Sequence, residues 1–123
     1  MKVARFTAFL DASVLYPAAV RDILLEIATA DLYFARWSNA VHDEWTNALL
    51  RDRPDLTAEQ LQRTRTLMNR SVRDTLVEGF EPLIKGLSLP DPNDRQVLAA
   101  AINGHADVIV TANLKDFPAA ELQ

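Results

Sequence analysis

The chain contains no cysteine, only three glycines and two histidines, and no apolar run long enough to cross a bilayer. Each shortage excludes something. Without cysteine there is neither a disulfide nor a thiolate zinc site, which fits a reducing, cytoplasmic setting without a membrane partner. With so few glycines a phosphate-cradling glycine loop is not credible, and no G-x-x-x-x-G-K occurs. The start, Met1–Ser13, has a basic residue and a short apolar stretch but no signal-peptide apolar region or cleavage site. Neither histidine is placed for acid–base work: His42 is read as lying off the Val41–Trp45–Leu49 stripe, and His105 follows a helix stop. Positive charge is also short in total, at a net −4, so the overall balance gives a nucleic-acid role no support.

What is present fits one folded unit. A length of 123 residues, 49% of them apolar, reads as a single domain over residues 1–123. Such a chain buries roughly two thirds of its unfolded surface. Charge is unevenly spread. Arg51, Arg53, Arg63, Arg65, Arg70 and Arg73 face only Asp52, Asp55 and Glu59 within the same stretch. Two readings stay open: a solvated helix face with internal ion pairs, or a phosphate-contacting surface beside an acidic centre. On the second, Arg63, Arg65, Arg70 and Arg73 are the best candidates for substrate contact.

Apolar patterning alternates between strand and helix. Arg5–Leu10 predicts a buried parallel strand ending at Asp11. Pro17 opens a helix whose apolar face is Val20, Ile23, Leu24, Ile27 and Ala28. Leu32–Trp37 predicts a second strand, and Ser38 or Asn39 caps a helix that Pro54 ends. Thr57 with Gln60 forms a capping box at the head of a long helix, broken near residues 69–71. Gly79–Leu89 predicts a loop with at most an edge strand. Asp91-Pro92-Asn93 predicts a turn, then a helix to Asn103 with Gly104 as its stop. Asp107–Thr111 predicts a last buried strand. The class is α/β with a parallel sheet, where ligands bind at the carboxyl ends of strands. Asp11 and Thr111 both stand there.

Three carboxylates occupy unusual positions. Asp11 directly follows a buried strand. Glu44 lies three residues after Val41 and four before Ala48, so it is expected to project from the core-facing side of its helix or its margin. Asp94 precedes Val97 and Leu98 on a face that continues through Ala101 and Ile102, and Ala99–Ala101 lets that helix approach the sheet closely. Asp116, in the oxygen-rich segment after the last strand, is a fourth candidate. Carboxylates aimed at one point repel unless a hard divalent cation neutralises them, and Mg²⁺ or Mn²⁺ takes such oxygen ligands. A metal-bound water and charge neutralisation suit phosphodiester hydrolysis. Mutual repulsion also predicts that Asp11→Asn leaves the fold intact or slightly more stable.

The segments FLDASVLYP (residues 9–17), HDEW (residues 42–45) and DPNDRQVLAAAINGHADVIVTANLKDFP (residues 91–118) resemble the PIN-domain family, and within it the VapC-type ribonuclease toxins. The resemblance covers nearly the whole chain. It implies a three-layer sandwich with a central parallel sheet flanked by helices, and RNA cleavage with Mg²⁺ or Mn²⁺. By motif the family's acids fall on Asp11, Glu44 and Asp94 as metal-binding and catalytic residues, with Asp91 a competitor to Asp94. Asp116 is a further catalytic candidate, and Ser13, Thr111 and Asn113 are candidates for substrate contact. Two departures matter. The family's T-x-D slot after the last strand holds Asn113, with Asp116 three residues later. A further strand is expected after Asp116-Phe117-Pro118, so the domain is expected to lack its C-terminal strand and to expose a sheet edge. The implied partners are RNA, a cognate antitoxin and a second copy in a homodimer. Two other readings remain: an inactive PIN-like scaffold binding RNA or a partner, and a receiver-like phosphoacceptor domain built on Asp11, Thr111 and Lys115. The second would need Asp55 as acceptor, and no apolar strand precedes it.

Overall fold

The computed structural model describes residues 5–87 and 92–112, with only the backbone of residues 92 and 93. Asp91, Asn113, Lys115 and Asp116 therefore lie outside the described residues. The elements are β1 (Thr7–Leu10), α1 (Ala12–Leu15), α2 (Ala18–Thr29), β2 (Phe34–Ser38), α3 (Asn39–Asp52), α4 (Ala58–Ser71), β3 (Leu76–Val77), a 3₁₀ turn (Glu81–Gly86), α5 (Pro92–Asn103) and β4 (Val108–Val110). The four strands form one parallel sheet in the order β3-β2-β1-β4. Ala8 stands between Ala35 of β2 and Val108 of β4 in the register.

This order places helices on both faces. The crossovers β1→β2 and β2→β3 step one way across the sheet, and β3→β4 steps back past β1. Right-handed crossovers then put α5 on the face opposite α1–α4. Accordingly α5 packs against all four strands, while α1 to α4 pack against one another and β2. Ala99 and Ala100 are fully buried and Ala101 nearly so, which gives the close approach to the sheet that the alanine run predicts. Ile102 departs from that expectation and is exposed, because the buried face of α5 is centred on Val97 and Ala100. The largest sealed side chains are Trp37, Trp45, Phe9, Leu10, Leu15 and Met68.

Local chemistry explains most boundaries. Ser38 caps α3 by accepting from Val41 N–H, and Thr57 and Gln60 make both halves of the capping box on α4. Pro17 is the cap residue of α2 and offers no side-chain acceptor. The α4 helix is unbroken and simply ends at Ser71; Leu76–Val77 after it is strand β3, where the sequence predicts no strand. Two helices end in left-handed residues. Asp31 (φ 69) follows α2 and His105 (φ 55) follows α5, each with the paired bonds of a Schellman cap. The stop after α5 thus uses His105, not Gly104, as its left-handed residue. Gly104 serves close packing instead: a Cβ there would lie 2.8 Å from Val77 Cγ2 and 3.2 Å from the Ala100 carbonyl oxygen.

The second helix departs further from expectation. Its apolar stripe puts Val20, Ile23 and Ile27 in solvent, while Arg21 and Ala28 are its buried residues. Strand β4 lies at one end of the sheet order and Val108 is exposed, so the strand is less buried than its apolar run suggested. Among the described residues no helix is long and apolar enough to cross a membrane.

Candidate active site

In this sheet the strand order reverses between β1 and β4. The carboxyl ends of these two strands bound the crevice where open α/β sheets take ligands. Asp11 follows β1, with its N–H bonded to the Val110 carbonyl at 3.0 Å, and Thr111 follows β4. In parallel crossovers the helices return antiparallel to the strands, so their N-termini lie at this same end. Glu44 stands in the second turn of α3 and Asp94 in the first turn of α5.

Asp11 is 6% exposed and is also the cap residue of α1. Its Oδ1 accepts from Ala12 N–H at 2.8 Å. Its Oδ2 accepts from the Thr111 hydroxyl at 2.8 Å and the Ser13 hydroxyl at 3.0 Å. Both hydroxyl protons are then committed to the carboxylate, so the 3.3 Å Ser13–Thr111 approach is packing within the cluster. Ser13 Oγ in turn accepts from Ala112 N–H at 3.0 Å, which clips the loop after β4 to α1. Hydrogen bonds of this kind to a charged group are worth about 1.5–3 kcal/mol each. Asp11, Ser13 and Thr111, all singled out in the sequence, are thus brought together. Three donors thus converge on the Asp11 carboxylate. An Asn in its place would turn an NH₂ toward a donor, so the expected gain in stability from Asp11→Asn is replaced by an expected loss.

Asp94 is 8% exposed and shares a face with Val97 and Ala101, as its spacing predicts. Glu44 does not project toward the core: it is exposed. The cause is that His42 and Thr46 are buried along with Val41, Trp45 and Leu49. At 3.6 residues per turn this shifts the centre of the buried face away from Glu44. Among the described residues no group of three His, Asp or Glu side chains stands close enough to hold an ion. The donor chemistry at the crevice is all oxygen, of the kind hard divalent cations prefer.

The buried His42 corrects the reading that set it off the stripe. Its Nδ1 accepts from Trp45 Nε1 at 3.0 Å, so Nε2 carries the proton and donates to Asn69 Oδ1 at 3.0 Å. Asn69 Oδ1 also accepts from Trp37 Nε1 at 2.7 Å. Burial is the main cause that lowers the imidazole pKa, with Arg65 acting the same way and Asn69 and Asp43 opposing. This neutral, doubly bonded ring is a tie between α3, α4 and β2.

The arginine-rich stretch divides. Arg65 pairs with Asp43 at 2.9 Å and Arg53 with Asp55 at 2.8 Å, which is the ion-pair reading. Arg63, Arg70 and Arg73 are exposed and form no ion pair among the described residues. Asp55 sits in the loop between α3 and α4, not after a strand, which removes the geometric basis of the receiver-like reading. Arg21, buried on α2, was missed by the sequence reading. The signal was its seven-residue spacing to Ala28, hidden beneath the stronger apolar stripe beside it.

A family model described as PIN domain matches residues 7–115. No curated protein and no solved structure matches the chain.

Proposed function

Starting from the fact that the chain belongs to the PIN-domain family, whose members are generally nucleases and usually use Mg²⁺ or Mn²⁺, we propose that it is a metal-dependent endoribonuclease, the toxin of a type II toxin–antitoxin pair. The observation that carries the reading is the buried Asp11 carboxylate at the reversal of strand order, held by donors from two segments. Asp11 and Asp94 are the proposed cation ligands, with Glu44 entering from the exposed side of α3. Asp116 and Asn113 are proposed to complete the set from the segment after β4. When bound, the cation supplies a water of lowered pKa and offsets charge gathering on the phosphate. The protein's part is orientation. Ser13 and Thr111 fix the Asp11 carboxylate, and the hydroxyls turn toward substrate only by giving up that bond. Arg63, Arg70 and Arg73 supply the exposed positive charge that meets the RNA backbone.

An assay of RNA cleavage with Mg²⁺, with Mn²⁺ and with chelator tests this. Cleavage is expected only with metal. Asp94→Asn and Glu44→Gln are expected to reduce it by at least about 10–100-fold, the size of loss seen for residues that merely support metal ligands. Retained activity in chelator, or in both variants, refutes the site. The second reading, a scaffold that binds RNA or a partner without cutting it, is favoured by Asn113, an amide in the slot where the family carries a carboxylate. RNA binding without metal-dependent cleavage is its signature. The toxin assignment has its own test: expression of the chain is expected to arrest growth, a small neighbouring protein to restore it, and Asp94→Ala to remove toxicity but not binding to that protein.

A further inference from the structure

Arg21 is a buried cation, and among the described residues three of its five N–H donors, those on Nε and Nη2, meet no protein acceptor. It is 9% exposed and stacks 4.7 Å above the Trp45 ring. Its Nη1 donates to the Leu15 carbonyl at 2.7 Å and the Tyr16 carbonyl at 3.3 Å. Among the described residues the guanidinium hydrogen bonds run from Nη1 alone and no carboxylate pairs with it, so the Nε/Nη2 edge is left at the solvent-reachable side of the group. Burial pulls its pKa down and Asp22 opposes, but an arginine stays charged. A largely buried charge with no carboxylate partner gains from an anion at its open edge.

The same side chain lines an open cavity of about 420 Å³ between the head of α2, the end of α3, the α3–α4 loop and α4. Its walls include Pro17 and Ala18 from the head of α2, with Leu49, Leu56 and Leu61 opposite. Pro17 caps α2 without a side-chain acceptor, so the first amides of this 12-residue helix add favourable potential for an anion. The rim holds no second spare cation: Arg53 is engaged by Asp55, and the Tyr16 hydroxyl donates to Asp52 at 2.7 Å.

We infer that this cavity binds a monoanionic carboxylate carried on an apolar body, gripped by the Nε/Nη2 edge of Arg21 and housed by the leucine walls. One unbalanced charge calls for one negative charge. The edge Nε–Nη2 matches the planar fork of a carboxylate, with two parallel charge-assisted bonds. A dianionic phosphate would have too few cations to offset it, since Arg53, the other cation of the lining, is already held by Asp55. The carboxylate comes either from a free small acid or from an acidic side chain flanked by apolar residues on a protein partner. The inference stands apart from the nuclease reading, since binding here is measured without RNA.

Titration of the full chain by NMR tests it, with hexanoate, hexanamide, inorganic phosphate and an acetylated, amidated Leu-Glu-Leu-Leu peptide as probes. Hexanoate, the peptide or both are expected to shift the Arg21 Nε–H and the amides of Ala18 and Ala19 saturably, with a Kd on the order of 1 mM or tighter. Binding of hexanoate identifies a small acid as sufficient; binding of the peptide alone identifies a protein side chain as the source. Arg21→Lys, which keeps the charge and loses the fork, is expected to weaken binding about tenfold or more. Should that variant fail to fold, the wild-type titration decides alone. The inference is overturned if neither carboxylate saturates the Arg21 signal, if hexanamide binds as well as hexanoate, or if phosphate binds more tightly than both.

Discussion

Two residues show how position outranks type. Asp11 reads in the sequence either as a helix cap or as a functional acid, and its two oxygens divide: Oδ1 caps α1 by taking the Ala12 N–H, while Oδ2 takes two hydroxyl protons at the crevice. Gly104 reads as a helix stop, and its neighbour His105 has that role. The glycine is required because the C-terminal end of α5 lies against β3. Gly104→Ala would press a methyl group into Val77, a stiff side chain that is 6% exposed, and toward the Ala100 carbonyl. It is expected to destabilise the fold by about 1–3 kcal/mol, the usual size for overpacking. A shift in urea midpoint with unchanged slope would register it. An unchanged midpoint would mean that α5 does not approach β3 this closely.

Between elements, the Trp37–Asn69–His42–Trp45 chain links β2, α4 and α3 through one neutral imidazole. Burial holds its pKa below the ordinary 6.5, so the unfolded chain takes up a proton before the folded one does. The group's contribution to stability is therefore complete above about pH 6.5 and is lost as pH falls toward the folded value. Urea midpoints at pH about 5 and about 8 should differ in that direction, and His42→Gln should flatten the difference while lowering stability at the higher pH. A steeper pH dependence in the variant would assign the effect to other groups. This tie was hidden from periodicity analysis because His42 is polar by type. Glu44 was displaced by the same fact, since the burial of His42 and Thr46 rotates the buried face of α3 away from it.

At the scale of the whole molecule, the proposed RNA contact rests on arginines that are exposed and form no ion pair among the described residues. Arg63 and Arg70 are seven residues apart on α4 and both exposed, whereas Arg65 is engaged by Asp43. For single-stranded RNA each lost phosphate contact reduces the slope of log K against log salt by roughly 0.7. Joint replacement of Arg63 and Arg70 by Gln is expected to flatten the slope by about twice that and to leave folding stability unchanged. Arg65→Gln is expected to leave the slope alone. Equal losses at every salt concentration in the double variant would point to an indirect effect.

The sequence by itself determined the α/β class, β1, β2 and β4, the capping box on α4, the close-packing alanines of α5 and the inward Asp94. Each follows from local periodicity or cap chemistry, which act within a few residues. Other features depended on contacts between distant segments. Leu76–Val77 is too short to carry a strand pattern and becomes β3 only by pairing with Trp37 and Ser38. Which face of α2 is buried was decided by Arg21 reaching the Leu15 and Tyr16 carbonyls and the Trp45 ring, against the pull of Val20, Ile23 and Ile27. The grouping of Asp11, Ser13 and Thr111 likewise required β1 and β4 to become neighbours, because side chains about a hundred residues apart in the chain share hydrogen bonds only where the sheet order brings their strands together.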